Sequence, residues 1–209
     1  MDTYTQHIKD NFFVDEFWTE NEDGYFLLEE TDKGGESQLR FKVQSLENLG
    51  ILNIDKKNTL FDFLVDSKKI GLNTRVDHIV LEKKENNEWG AHLVEMKSSI
   101  SSIEKWYDIK KKFRSSYLFV QALCAMMHIQ LTQIYMYTTY EKVNWSYQPE
   151  NPSSRRLRVG KRPVSPEAEW NGGQFELRFG DECQIPFVHT PIHMERNDNR
   201  ILIGEYDCM

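Results

Sequence analysis

Asp77, Glu95 and Lys97 are the residues whose types and spacing bear most directly on chemistry. They lie in "VDHIVLEKKENNEWGAHLVEMKSS", residues 76–99, which reads as two apolar runs joined by a polar, charged turn. One run carries an acid and its partner carries an acid and a lysine two positions apart. Such a set is either a solvated face, an internal ion pair or the seat of a hard cation. Period two puts Leu93, Glu95 and Lys97 on one side of the second run, with Val94 and Met96 on the other. Both sides hold apolar residues, so the spacing predicts a strand covered on both faces. Asp77 also has apolar neighbours on both sides. A buried carboxylate or ammonium is costly unless it is paired or bound to a metal, which weighs against the solvated face.

The two runs predict strands at roughly 74–83 and 90–97, with "KENNEW" as the hairpin turn. Ahead of them, residues 4–20 have helical spacing, "GYFLLEE" and "LRFKVQ" read as strands, and "DKGGES" (32–37) as a turn. "SLENLG" suggests a helical turn ending at Gly50, and "TLFDFLVDS" (59–67) a strand. After them, Ile103, Trp106, Phe113, Val120 and Cys124 mark a long helix that Ser101 or Ser102 can cap. "LTQIYMYTTY" (131–140) is a further strand. Four prolines between 148 and 169 predict a long loop, followed by short strands in "QFELRFG", "CQIPFVH" and "ILIGEYD".

The chain has 209 residues, 39% hydrophobic and 28% charged, with a net charge of −7. That suits one generous domain with a packed core rather than bulk disorder. It argues mildly against coating nucleic acid through bulk charge, but leaves room for local basic grooves. "KWYDIKKKFR" (105–114) and "SSRRLRVGKRP" (153–163) are two such places. The acidic start does not read as a secretion signal, and no apolar run of eighteen residues suggests a membrane span. Three widely spaced cysteines, Cys124, Cys183 and Cys208, fit a reducing cytoplasm better than a disulfide framework. His189 and His193, with Cys183 and Cys208, lack the tight spacing of a zinc site. No phosphate-binding glycine loop and no Gly-x-Ser-x-Gly is present.

Asp77, a hairpin, Glu95-Met96-Lys97, then a long helix and a strand: this order resembles the PD-(D/E)xK nuclease superfamily, across about residues 40–140. Val76 stands where the family motif has its proline. The resemblance implies an α/β fold with a restriction-endonuclease-like αβββαβ core, a central mixed sheet flanked by helices, and here a C-terminal β-rich extension. Residues 1–147 would hold the core with an N-terminal helical extension. Residues 148–209 would hold the basic loop and short strands packed on that core. It implies a metal-dependent nuclease using Mg²⁺ or Mn²⁺ on DNA, with RNA open to the same chemistry, in defence, recombination or repair. Small nucleases of this kind often form a homodimer or join a partner subunit. Asp77 and Glu95 would be metal ligands, with the Met96 carbonyl a third. Lys97 would orient or deprotonate the attacking water or stabilise charge. Glu47 is the candidate for a further acidic ligand, with Glu29 and Glu30 behind it. Lys110, Arg114, Tyr117 and Gln121 share one face of the long helix. Lys110, Arg114 and Gln121 are candidate nucleic-acid contacts there, and Tyr117 is a core residue. Arg155, Arg156, Arg158, Lys161 and Arg162 are candidate phosphate contacts in the loop. A catalytically silent scaffold subunit with the same fold is the alternative.

Overall fold

Strands β5 (His78–Lys83) and β6 (Glu88–Glu95) form the expected antiparallel hairpin, in the register His78 opposite Val94. Almost every residue of the pair is buried, so alternate side chains enter different cores. Ile79, Leu81, Ala91 and Leu93 enter one, and Val80 and Val94 the other. This is the signature of a strand covered on both sides. The computed structural model describes residues 17–21, 23–32, 35–45, 47–55, 73–85, 88–144, 166–179 and 183–208.

The remaining elements, in chain order, are β1 (Trp18–Thr19), β2 (Tyr25–Asp32), β3 (Gly35–Lys42) and β4 (Asn48–Ile51) before the hairpin. After it come β7 (Ser99–Ile100), α1 (Ile103–Met126), β8 (Gln130–Tyr140) and β9 (Lys142–Val143). The tail holds α2 (Pro166–Trp170), β10 (Gln174–Arg178), β11 (Gln184–His193), β12 (Glu195–Arg196) and β13 (Leu202–Asp207). A seven-stranded mixed sheet runs β1-β4-β5-β6-β8-β11-β10. Its parallel pairs are β6 with β8 and β8 with β11. A four-stranded sheet runs β12-β13-β3-β2.

Helix α1 is the crossover between parallel β6 and β8, as such a pairing requires. Ser102 caps it, accepting from the Lys105 amide, and His128 just beyond it adopts a left-handed φ of 52°. Trp106, Ile109, Phe113, Val120 and Cys124 pack on the seven-stranded sheet, and Trp170 of α2 joins the same core. Pro166 opens α2, a position where its missing amide is harmless.

The architecture is α/β with mixed sheets, and three expectations need correction. First, the described helices cover only one face of the large sheet. The other face packs on the four-stranded sheet through Phe26, Leu28, Leu39 and Phe41. Second, residues 48–51 are strand, because β4 lies between β1 and β5 and is buried on both faces. Ladder pairing there overrides local helical patterning. The layers meet so closely that a Cβ on Gly50 would come within 2.8 Å of Phe26 and Thr19 side chains. Third, Trp18–Thr19 is strand rather than the end of a helix, and 166–170 is helix rather than loop. Residues 4–16 and 59–67 lie outside the described residues, as does 148–165. The strands anticipated in the tail form, and they pair into both sheets. No described helix is long and apolar enough to cross a membrane.

Candidate active site

The hairpin register continues past its hydrogen-bonded pairs. Asp77 immediately precedes β5 and Glu95 ends β6, so antiparallel pairing sets the two acids opposite each other at one end of the sheet. Both point to the α1 side, with Ile79 and Leu93. Glu95 is fully buried and Asp77 is 2% exposed.

Three contacts fix Asp77. Its Oδ2 accepts from the Met96 amide at 2.6 Å. Its carbonyl accepts from the Ile54 amide at 3.2 Å. One residue earlier, the Val76 amide donates to Ser116 Oγ of α1 at 2.9 Å. Lys97 lies just beyond β6, and its amide donates to Thr139 Oγ1 of β8 at 3.0 Å. The Lys97 ammonium then turns back. Its Nζ is 2.8 Å from the Met96 carbonyl, 2.6 Å from Glu95 Oε1 and 3.8 Å from Asp77 Oδ2.

A second ammonium completes the cluster. Lys112 Nζ, from α1, lies 2.7 Å from Glu95 Oε1 and 3.5 Å from Asp77 Oδ1. Burial and the charge of Asp77 push the Glu95 carboxyl up, Lys97 and Lys112 pull it down, and the balance stands at about 7. Burial opposes the charge on Lys112, but Glu95, Asp77 and Asp55 outweigh it and hold the ammonium above the ordinary lysine range. Glu95 Oε2 is buried and accepts no hydrogen bond from the described residues.

Lys112 is not marked out in the sequence, because it stands in a run of three lysines that α1 turns in different directions. Lys110 pairs with Glu169 of α2, Lys111 with Asp108 on the helix surface, and Lys112 with the carboxylates. The usable signal was phase. Lys112 is four residues before the buried Ser116, the hydroxyl that holds Val76.

Several candidate residues do not join the site. Glu47 pairs with Lys83 at the opposite end of the hairpin, since residue 48 stands opposite Glu82 and not near Asp77. Glu29 accepts from Gln38 on the exposed side of the small sheet, and Glu30 takes the opposite face, in phase with Phe26 and Leu28, beside Met96 and Ser98 rather than beside Asp77. The face of α1 carrying Lys110, Arg114 and Tyr117 turns toward α2, β10 and β11. There Lys110 meets Glu169, Arg114 donates to the Arg178 carbonyl, and Tyr117 packs on Phe179 and Phe187. Gln121 is exposed. Arg155, Arg156, Arg158, Lys161 and Arg162 lie outside the described residues. His189 is a core residue between the Trp170 carbonyl and Thr138 Oγ1, at 3.0 and 2.9 Å, and His193 stacks edge-on to Tyr140.

No family model, curated protein or solved structure matches this chain. The donor set must therefore speak for itself. Asp77 Oδ2, Glu95 Oε1 and the Met96 carbonyl surround one point, at present the Lys97 ammonium. All three are hard oxygens, and the orphaned Glu95 Oε2 adds a fourth. Such donors suit Mg²⁺, which commonly takes one or two carboxylates and keeps several waters. Among the described residues, no group of three His, Cys, Asp or Glu side chains is arranged for a metal. Any ion here would rely on the carbonyl, water or substrate for its remaining ligands.

Proposed function

We propose that this protein is a metal-dependent nuclease of the PD-(D/E)xK kind, hydrolysing phosphodiester bonds in DNA. The observation that carries the reading is the convergence of Asp77, Glu95 and the Met96 carbonyl around the Lys97 ammonium. Asp77, Glu95 and the Met96 carbonyl would hold Mg²⁺ or Mn²⁺. The ion would lower the pKa of a bound water and offset charge on the phosphate. Lys97 is one-third exposed at its side chain, so its ammonium can reach a phosphate oxygen or the attacking water. Lys112 fixes the Glu95 carboxylate from the helix side. The Asp77 carboxylate is fixed in turn by the Met96 amide. The preorganised set thus needs little rearrangement of its acids when substrate arrives. The basic run at 155–162 supplies charge for the nucleic-acid backbone.

One observation favours a second reading, a nuclease-fold scaffold without cleavage. The Lys97 and Lys112 ammonium groups already offset the charge of the two carboxylates. The experiment that separates the readings is cleavage of plasmid, linear and single-stranded DNA, and of RNA, with Mg²⁺ or Mn²⁺, beside Mn²⁺ titration by calorimetry. Metal-dependent cleavage that disappears in Asp77→Asn is the expected result. Neither cleavage nor Mn²⁺ binding that depends on Asp77 would overturn the nuclease reading in favour of the scaffold.

A further inference from the structure

The hairpin carries a second polar cluster, on the face opposite Asp77 and Glu95 and buried between the two sheets. Glu82 of β5 and His92 of β6 are its first members, both essentially inaccessible to solvent. Glu82 Oε1 accepts from the Gln44 and Ser45 amides at 2.7 and 2.8 Å, and Lys84 pairs with Oε2. Burial pushes the Glu82 carboxyl up, but the bonds from His92, Lys84 and Ser45 prevail and bring it down to about 2. Glu82 is therefore ionised and can only accept. His92 Nε2, 3.1 Å from Glu82 Oε2, must be the donor. Glu82 already takes two amides and the Lys84 ammonium, so Nδ1 is the ring nitrogen left to accept, and burial opposes a charge on the ring. A neutral ring that donates from Nε2 presents a bare lone pair at Nδ1.

Two further groups meet that lone pair. Tyr137 Oη, from β8, is 3.2 Å from His92 Nδ1. Cys208 Sγ, just after β13 in the other sheet, is 3.7 Å from Nδ1 and 3.6 Å from Tyr137 Oη. Cys208 is a free thiol. The point equidistant from these three atoms lies about 2.0 Å from each, close to zinc–nitrogen and zinc–oxygen bond lengths and slightly short of zinc–sulfur. Phe41 and Tyr135 pack around the imidazole at centroid distances of 5.4 and 4.9 Å, making an apolar wall.

We propose that His92 Nδ1, Cys208 Sγ and Tyr137 Oη form a binding site for one zinc-class divalent transition metal ion that joins the two sheets. The third donor is a phenol, which is why no group of three His, Cys, Asp or Glu marks the place. Glu82 acts on the far nitrogen of the ligating ring, the arrangement that fixes tautomer and orientation in histidine–metal sites. Imidazole, thiolate and phenolate together suit zinc and exclude magnesium. Binding releases the thiol proton and the phenol proton to solvent. Two anionic ligands then balance the dication, while Lys84 balances Glu82, so the buried cluster remains neutral. The site is independent of the nuclease reading, since it shares no ligand with Asp77 or Glu95.

The test uses full-length protein carrying Cys183→Ser, which removes the exposed thiol, stripped of metal by chelator and titrated with Co²⁺ and Zn²⁺. One Co²⁺ per chain that carries a near-ultraviolet thiolate-to-cobalt band is expected, besides any ion taken by Asp77 and Glu95. The band should persist in Asp77→Asn and Cys124→Ser, resist excess Mg²⁺, and vanish in Cys208→Ser. Zinc should raise the melting temperature of the parent protein. If Cys208→Ser does not fold, zinc-edge X-ray absorption of the parent protein decides, with one sulfur and two nitrogen or oxygen neighbours expected. No stoichiometric Co²⁺ binding would leave a hydrogen-bonded triad only and overturn the site. A metal spectrum without sulfur, or one lost in Asp77→Asn, would do the same.

Discussion

Replacing Lys112 with methionine removes one of the two ammonium groups from Glu95 while keeping most of the aliphatic stem that packs beside it. The consequence depends on pH. The Glu95 carboxyl ionises at about 7 in the native protein, against about 4.5 unfolded. The native state thus binds the proton more tightly. The contribution of Glu95 to stability is full below pH 4.5 and is lost as pH rises through 7. In Lys112→Met the carboxyl keeps its proton to still higher pH, so the loss continues past 7. Because the carboxyl can stay protonated instead of standing unpaired, the added loss is limited to about 1.4 kcal/mol per pH unit above 7. That gives almost nothing at pH 6, about 1.4 kcal/mol at pH 8 and about 2.7 kcal/mol at pH 9. The last figure approaches the roughly 3–5 kcal/mol typical of a broken buried pair. Lys112 also gives up its 3.5 Å contact with Asp77 and the penalty for burying its own charge. These oppose each other and add little slope. Urea unfolding of both proteins at pH 6, 7, 8 and 9 measures the difference. An equal loss at pH 6 and pH 9 would refute the reasoning, because it would mean that Lys112 acts through packing alone.

Lys97→Ala should lower cleavage by about 10²–10³, roughly 2.7–4 kcal/mol of transition-state stabilisation, with little change in melting temperature, because Lys112 still holds Glu95; parallel cleavage and melting assays check both parts. Neutralising Arg155, Arg156, Arg158, Lys161 and Arg162 should weaken DNA binding for all sequences and flatten its salt dependence, and an unchanged slope in fluorescence-anisotropy titrations would remove the run from the interface. Burial holds His189 down to about 4 against the Trp170 carbonyl bond that raises it, so its contribution is full above pH 6.5 and is lost as pH falls to 4, reaching about 3 kcal/mol. His189→Gln should flatten the pH dependence of the unfolding midpoint over that window.

The hairpin and its acids were legible because period-two alternation and a turn between apolar runs are local signals. The same holds for α1, whose apolar spacing and Ser102 cap lie within one segment. What escaped was set by partners far away in sequence. The last three residues of "SLENLG" are strand because β1 and β5 flank them, and nothing inside the segment says so. Lys112 joins the carboxylates through the rotation of α1 on the sheet. The chosen face, with Lys110 and Arg114, is turned about two residues away, toward α2 and β10. The resemblance implies a further Glu from a helix ahead of the sheet, but Glu47 stands immediately before strand β4, and antiparallel pairing carries it to the far end of β5. His92, Tyr137 and Cys208 come from three distant segments and share no motif.

The position of β13 between β3 and β12 has a consequence in time. Lys42 and Asp207, which close that pairing, are 165 residues apart. A ribosome adding 5–20 residues per second needs about 10–30 s to bridge that interval. Throughout it the β2–β3 hairpin is outside with one long side of β3 unclaimed, a template for any extended segment that passes. A nascent chain of this protein is therefore a natural client for chaperones that shield strand edges, and its yield should respond to translation speed more than its finished stability would suggest.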